Sequence, residues 1–222
     1  MKRFLFSALA VGLMFSGQAK ADIVFNLPGT HTGPLGTSQS FTSTPSGYTL
    51  TAYGFNSTLS NSNQTLTLGT ATNLYGKNDG PGETGLGINN DPAGDHEIWP
   101  RSTVKLDLTS IFSTYPTEAV TLTVGSVQNG EGFAVFGGSS SPSSFLGSVT
   151  GNSDSQDVYT FTVTASQVAA SGDKLYLTAT SNNVVLETVD VASVPEPSTF
   201  ALMFTGIAAF TAFGWYRRRK AA

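Results

Sequence analysis

Five carboxylates lie within nineteen residues near the middle of the chain, and side chains of this type could build a calcium site. They are Asp79, Glu83, Asp91, Asp95 and Glu97. Calcium takes about six to eight oxygen ligands, and the glycines between these acids would let a loop converge them. The spacing does not follow the EF-hand pattern, so the alternative is a solvated acidic loop. Calcium is the one cofactor that the segment predicts.

Catalytic motifs are sparse. The chain has two histidines, His31 and His96, and it lacks both the Gly-x-Ser-x-Gly and the His-Glu-x-x-His patterns. His96 lies between Asp95 and Glu97 and could be a base oriented by a carboxylate, although an ordinary loop histidine would have the same neighbours. With fifteen acids, a glycosidase-type carboxylate pair is neither shown nor excluded. We predict that the protein is not an enzyme.

Three aromatic residues, Tyr75, Trp99 and Tyr115, lie near the acidic segment in sequence. Sugar rings stack on exposed aromatic rings, which makes a carbohydrate-binding module the main alternative function. The other interpretation is that these rings fill the core, with Trp99 packed beneath the acidic loop.

The elements that must position these residues are strands. Apolar residues recur at every second position in residues 104–108, 120–124 and 175–179, which is the period of a half-buried strand. Similar runs occur at 23–27, 48–55, 65–69, 132–136, 145–150, 158–164 and 184–191. The sequence therefore predicts an all-β fold of about ten strands, a single jelly-roll-like antiparallel β-sandwich.

Helical periodicity is nearly absent between the strands. Residues 109–112 and 165–170 could each form a turn or two of helix, and residues 29–47, 76–97 and 137–144 are predicted as loops.

The N-terminus has the pattern of a signal peptide. Lys2 and Arg3 precede an apolar stretch at 4–15, and Ala19 and Ala21 supply the small residues that signal peptidase reads. We predict a signal peptide at 1–21 and a mature chain that starts at Asp22.

The C-terminus has three parts in a fixed order. Pro195, Glu196 and Pro197 come first, followed by an uncharged apolar run at 199–216, whose 18 residues would form a helix of about 27 Å. Four basic residues then follow as a basic stop, Arg217, Arg218, Arg219 and Lys220. Cations are retained on the cytoplasmic side, so the apolar run predicts one transmembrane helix with the body outside the cytoplasm.

This C-terminal arrangement resembles the PEP-CTERM sorting signal of Gram-negative bacteria. The resemblance covers residues 194–222 and implies recognition in the inner membrane by an exosortase, which is thought to cut near the motif. A permanently anchored periplasmic protein is the alternative. Residues 22–193 would then be the exported domain.

The charge and the cysteine content of the body exclude some partners and some kinds of chemistry. Between residues 22 and 197 there are four basic and fifteen acidic residues, a formal charge of −11, which argues against nucleic acid as a partner. The chain has no cysteine, so disulfides and thiol chemistry are excluded.

Together these features predict an exported, non-catalytic protein of the cell surface or extracellular matrix, held only transiently in the inner membrane. The resemblance implies a link to exopolysaccharide. A sugar-binding module and a secreted carbohydrate-active hydrolase are the competing functions.

Overall fold

A computed structural model describes residues 20–44, 47–60, 64–114, 116–153 and 157–195. Within these ranges the chain forms fourteen strands and two short helices. The strands are β1 (Lys20–Asn26), β2 (Gly33–Gly36), β3 (Ser38–Thr42), β4 (Thr49–Ser60), β5 (Thr65–Ala71), β6 (Leu74–Asn78), β7 (Thr84–Ile88), β8 (Ser102–Asp107), β9 (Val120–Val127), β10 (Gly132–Gly137), β11 (Ser144–Thr150), β12 (Asp157–Val163), β13 (Lys174–Ser181) and β14 (Val185–Pro195). The helices are α1 (Thr109–Phe112) and α2 (Ala165–Ala170).

The strands form two seven-stranded sheets. The first has the order β12-β9-β14-β7-β6-β2, with β1 also paired to β14, and the second has the order β11-β10-β13-β8-β4-β3, with β5 paired to β4. Neighbours such as β9 and β14, or β8 and β13, run antiparallel. The prediction of an antiparallel β-sandwich is therefore confirmed, whereas its finer description as a jelly roll stays a prediction.

The core lies between the two sheets and follows the alternation seen in the sequence. Val120, Leu122 and Val124 of β9 are fully buried, while Thr121 and Thr123 between them are half-buried. Gly54 of β4 lies so close to the facing sheet that a Cβ there would meet the side chain of Ile88 at 3.2 Å. Burial of each such aliphatic side chain contributes about 1.5–3 kcal/mol, which stabilises the body without disulfides.

Two of the predicted loops were wrong, because three whole strands and part of a fourth lie within them. Residues 29–47 contain β2 and β3, and residues 76–97 contain β7 and most of β6. These strands are short; β2, β6 and β7 contain glycine and β3 is mostly polar, so none shows a clear apolar alternation in the sequence. The prediction at 137–144 was correct in that residues 138–143 connect β10 to β11, and both predicted helical turns have the bounds of α1 and α2.

Residues Asp22–Ala192 form one compact unit. Ala19, the apolar run at 199–216 and the basic residues 217–220 lie outside the described residues, as do Glu196 and Pro197. None of the helices in the described part of the chain has the length and apolarity needed to cross a membrane. The signal peptide and the transmembrane helix remain predictions.

Candidate functional site

A buried ion pair joins the end of β6 to the segment before β8. Lys77 Nζ donates a hydrogen bond to Glu97 Oε1 at 2.5 Å, and each side chain is only 5% exposed. Removing two charges from water is costly, and a pair this enclosed persists only where the geometry is close and further groups share the charge. The hydroxyl of Ser126 on β9 supplies one such group by hydrogen bonding to Glu97.

Two more carboxylates surround the same ammonium. Asp79 Oδ2 lies 3.7 Å from Lys77 Nζ, and Glu83 Oε2 lies 3.5 Å from it. Burial alone would lower the pKa of Lys77, yet the hydrogen bond and charge of Glu97, with the charges of Glu83 and Asp79, raise it above the ordinary value. Burial raises the pKa of Glu97, although Lys77 and Ser126 act in the opposite direction. Lys77 therefore stays an ammonium ion.

The loop between β7 and Glu97 is fixed by Asp91. Its carboxylate accepts hydrogen bonds from the backbone N–H groups of Ala93 at 3.1 Å and Asp95 at 3.2 Å. It also accepts one from Nδ2 of Asn183, at 3.1 Å, in the segment that leads into β14. Asp91 thus ties its own turn to the neighbouring strand and does not face Lys77's ammonium group as a fourth acid.

The last residues of that loop lie flat against β7. A Cβ at Gly87 would come within 2.0 Å of the His96 carbonyl oxygen, so only glycine permits this close approach. His96 adopts a left-handed backbone conformation with φ of 60°, and its ring stacks on Tyr75 with centroids 3.9 Å apart. Its Nδ1 lies 3.3 Å from the carbonyl oxygen of Asn89. This arrangement places the carboxylate of Glu97 within hydrogen-bond distance of Lys77 Nζ.

Lys77, its three neighbouring acids and His96 line an open polar cleft with a volume of about 570 Å³. The side chains that surround it include five acids, one lysine, one histidine and three amides, and the amides are Gln128, Asn182 and Asn183. Five described non-glycine residues have positive φ, and three of them, His96, Ser126 and Asn182, line this cleft. Strained backbone of this kind collects at functional sites, which marks the cleft as the candidate site of the body.

The structure brings together only part of the predicted calcium ligands. Asp79, Glu83 and Glu97 converge, but on Lys77. Asp91 is engaged in its turn, and Asp95 is exposed at the rim of the cleft. Across the described residues, no group of three or more His, Asp or Glu side chains is placed to hold a metal ion. Calcium binding stays a prediction.

Sequence reasoning missed Lys77, the centre of the cluster. A signal was present, because Lys77 is the only lysine or arginine between residues 22 and 100 and it directly precedes the acidic segment. An isolated cation beside many acids is a candidate partner for one of them once the fold excludes water.

The aromatic residues proposed for sugar stacking have different surroundings. Tyr75 already has one face stacked on His96. Trp99 is half-buried, and its indole Nε1 is enclosed without a hydrogen-bond partner in the described structure. Tyr115 lies outside the described residues. The packing of Trp99 favours its role beneath the loop over an open stacking platform.

Comparison with known families identifies a motif in the C-terminal segment of the chain. Residues 193–220 match the PEP-CTERM protein-sorting motif, which includes Pro195, Glu196, Pro197 and the basic stop. No curated protein matches the sequence. PEP-CTERM signals mark proteins exported to the cell envelope or surface. The chain therefore bears a PEP-CTERM sorting motif, which implies exosortase-dependent sorting of an exported protein.

Proposed function

We propose that the chain is a non-catalytic component of the cell surface or extracellular matrix, delivered by a signal peptide and processed near its C-terminal motif. The observation that carries this proposal is the sorting motif at 193–220, which directly follows the compact unit Asp22–Ala192. Signal peptidase would cut after Ala21, the inner membrane would hold the chain transiently, and an exosortase would then act near Pro195.

The chemistry of the cleft supports a non-catalytic role. A general base or nucleophile needs a free electron pair near neutral pH, and the raised pKa of Lys77 keeps its amine protonated. Glu97 is committed to that ammonium and to Ser126. These contacts stabilise the loop, and they leave neither partner of the buried pair free to act on a substrate.

Intact mass spectrometry tests the sorting proposal. The protein is recovered from the cell envelope and from the medium of strains with and without the exosortase. A species that starts at Asp22 and ends near Pro197, formed only with the enzyme, is the expected result. A chain that still ends at Ala222 in both strains contradicts processing and favours the permanent anchor.

A motif variant sharpens that experiment. Glu196→Gln removes the only charge of the Pro-Glu-Pro motif and should reduce processing. Glu118→Gln makes the same chemical change in the half-buried loop before β9 and should leave processing intact. Equal processing of both variants would show that the charge of the motif is not read.

A second candidate function is glycan binding, favoured by the polar lining of the cleft. Carboxylates and amides are good partners for sugar hydroxyls, and Gln128, Asn182 and Asn183 line the cleft together with its acids. Exopolysaccharide is the partner that this role would imply. Such a contact would anchor the protein in a matrix without any turnover.

Glycan-array binding by the mature protein tests this second function. Gln128→Ala should weaken binding in the cleft, whereas Gln39→Ala on β3 should not, and Trp99→Ala separates the cleft from an aromatic platform. Release of shortened oligosaccharides would overturn the non-catalytic proposal and support a secreted hydrolase. No bound glycan would remove the binding-module alternative.

A further inference from the structure

The first sheet ends at β12, an edge strand that has a partner strand on one side only in the described part of the chain. Among the described strands, β12 pairs with β9 alone. From Tyr159 to Val163 it follows β9 residue by residue, without a register shift. The N–H and C=O groups that point away from β9 therefore form a regular template on which another strand could pair.

The other strands at the ends of the two sheets carry features that hinder such pairing, as does β5. β2 contains Pro34 and two glycines, and β3 is only five residues long and mostly polar. β5 and β11 each contain a glycine and shift register against their partners. Short strands, proline and bulges all protect an edge. The regular run of β12 has none of them, because all five of its residues are β-branched or aromatic.

The charge distribution favours contact between two copies of the chain at this edge. The body has a formal charge of −11 between residues 22 and 197, so two copies repel each other unless they meet at an uncharged surface. No charged residue occurs at 158–172 or along β9 at 119–130. Val158, which precedes the regular run, is 47% exposed and is the only exposed large apolar side chain in the described residues. The β12 edge is thus a neutral and partly apolar strip.

The strand is also complementary to itself. In an antiparallel pair of two copies centred on Phe161, Thr160 of each copy lies opposite Thr162 of the other, and Tyr159 lies opposite Val163. Thr–Thr pairs and pairs of an aromatic with a β-branched residue both stabilise antiparallel strands. Within the sheet, the Thr162 hydroxyl already makes such a contact, 2.9 Å from the hydroxyl of Thr121 on β9. A two-fold axis through Phe161 relates the copies, so the contact closes at two chains.

We propose that the protein forms a two-fold symmetric dimer in which β12 pairs antiparallel with β12 of a second copy. The first sheets of the two copies then become one continuous sheet. A contact along one strand edge is small for a protein–protein interface, so the dimer is reversible, with a dissociation constant in the micromolar range. This association goes beyond the proposed delivery to the cell surface and supplies a contact between copies once they are there.

Analytical ultracentrifugation across a dilution series tests the dimer. The protein is recovered from the medium, or from the cell envelope in mild detergent, and we expect a monomer–dimer equilibrium at micromolar concentration. Thr160→Lys with Thr162→Lys sets like charges opposite each other in the pair and should raise the dissociation constant at least about tenfold. Ser40→Lys with Thr42→Lys makes the same charge change at exposed positions of the edge strand β3 and should not raise it.

A charge-swapped mixture distinguishes β12 pairing from any other contact between copies. Thr160→Glu with Thr162→Glu should also be monomeric alone. Mixed with the double-lysine variant it should form heterodimers, detected by native mass spectrometry, because each lysine then lies opposite a glutamate. The melting temperature of each variant establishes that it is folded.

Three results would each overturn the dimer. They are a wild-type monomer at high micromolar concentration, a dimer that the double-lysine variant leaves intact, and a mixture without heterodimers. All three leave the sorting proposal intact, because that proposal is decided by the residue at which the recovered chain ends.

Discussion

Two regions of the body bury carboxylates and treat their charge in opposite ways. At the cleft, Glu97 lies 2.5 Å from Lys77 Nζ, and Asp79 and Glu83 share the same ammonium. Along β14, Glu187 Oε1 and Asp190 Oδ1 are enclosed without a hydrogen-bond partner in the described residues. Both regions belong to the first sheet or to the loops that cover it.

The difference separates two uses of buried charge. A charge that the chain compensates itself stabilises one conformation, because breaking the pair leaves an ion in a poorly solvated place. A buried carboxylate without a partner costs free energy, so burial favours its protonated form. The buried charge of the cleft is thus compensated within the fold, whereas burial raises the pKa of the carboxylates Glu187 and Asp190 on β14.

The largest effect should come from removing the cation of the cleft. Lys77→Met leaves Glu97 buried without its ammonium and should lower the free energy of unfolding by about 3 kcal/mol, measured by urea denaturation of the mature protein. Lys105→Met is the matched control, because Lys105 Nζ lies 4.8 Å from the centroid of the Tyr53 ring and the carboxylate whose charge acts on it, Asp107, is only half-buried. The control should cost less than about 1 kcal/mol.

A double variant distinguishes charge from packing at the same place. Lys77→Met with Glu97→Gln removes both charges and should be more stable than Lys77→Met alone. If the second substitution brings no recovery, the lysine stabilises the body through its methylenes and the comparison fails.

The second largest effect on stability should come from the close approach between Gly87 and the backbone of His96, which positions Glu97. A Cβ at Gly87 would lie 2.0 Å from the His96 carbonyl oxygen, so Gly87→Ala must displace the loop and should cost about 1–3 kcal/mol in thermal or urea unfolding. Gly69→Ala on β5, whose Cβ would meet the Asn56 carbonyl at 3.2 Å, should cost less. Equal costs for the two glycines would mean that the loop moves away from β7 freely.

The third effect tests the turn that shapes the cleft. Asp91→Ala removes the acceptor for the Ala93 and Asp95 N–H groups and for Asn183, and should cost about 1 kcal/mol. Faster amide hydrogen exchange at Ala93 and Asp95 is the measurement that localises it. Unchanged exchange there would contradict the role of Asp91 as the acceptor that closes this turn.

The smallest effect has the opposite sign and a pH dependence. Burial raises the pKa of Glu187 above its ordinary value, so the stability that this group contributes is present below the unfolded pKa of about 4.3 and is lost as pH rises through the folded pKa. Glu187→Gln should therefore stabilise the protein at pH 7, by up to about 1 kcal/mol because solvent screens part of the charge, and should change little at pH 4.

Urea unfolding at the two pH values measures this difference. Glu118→Gln, in the half-buried loop before β9, should change stability little at either pH. A Glu187→Gln variant that is less stable than wild type at pH 7 would show that the carboxylate has a donor and would remove the contrast with Glu97.

The predictable part of the fold was the part with a local signal. Val120, Leu122 and Val124 of β9 have the period of a half-buried strand and are fully buried, and α1 and α2 have the predicted bounds. β6 and β7 were missed because their glycines serve close backbone contacts, as Gly87 does under His96, and such contacts leave no hydrophobic pattern. The acidic segment was recognised as the candidate site, but Lys77 was not recognised as its centre.

The sequence by itself determined the sorting motif at 193–220, the acidic charge of the body, the absence of cysteine and the strand period, because each is a property of neighbouring residues. Only the tertiary structure decided that Lys77 meets Glu97, and that oxygens of Glu187 and Asp190 on β14 are enclosed. Both depend on sheet order and register, which bring distant segments together and exclude water from some charges but not from others.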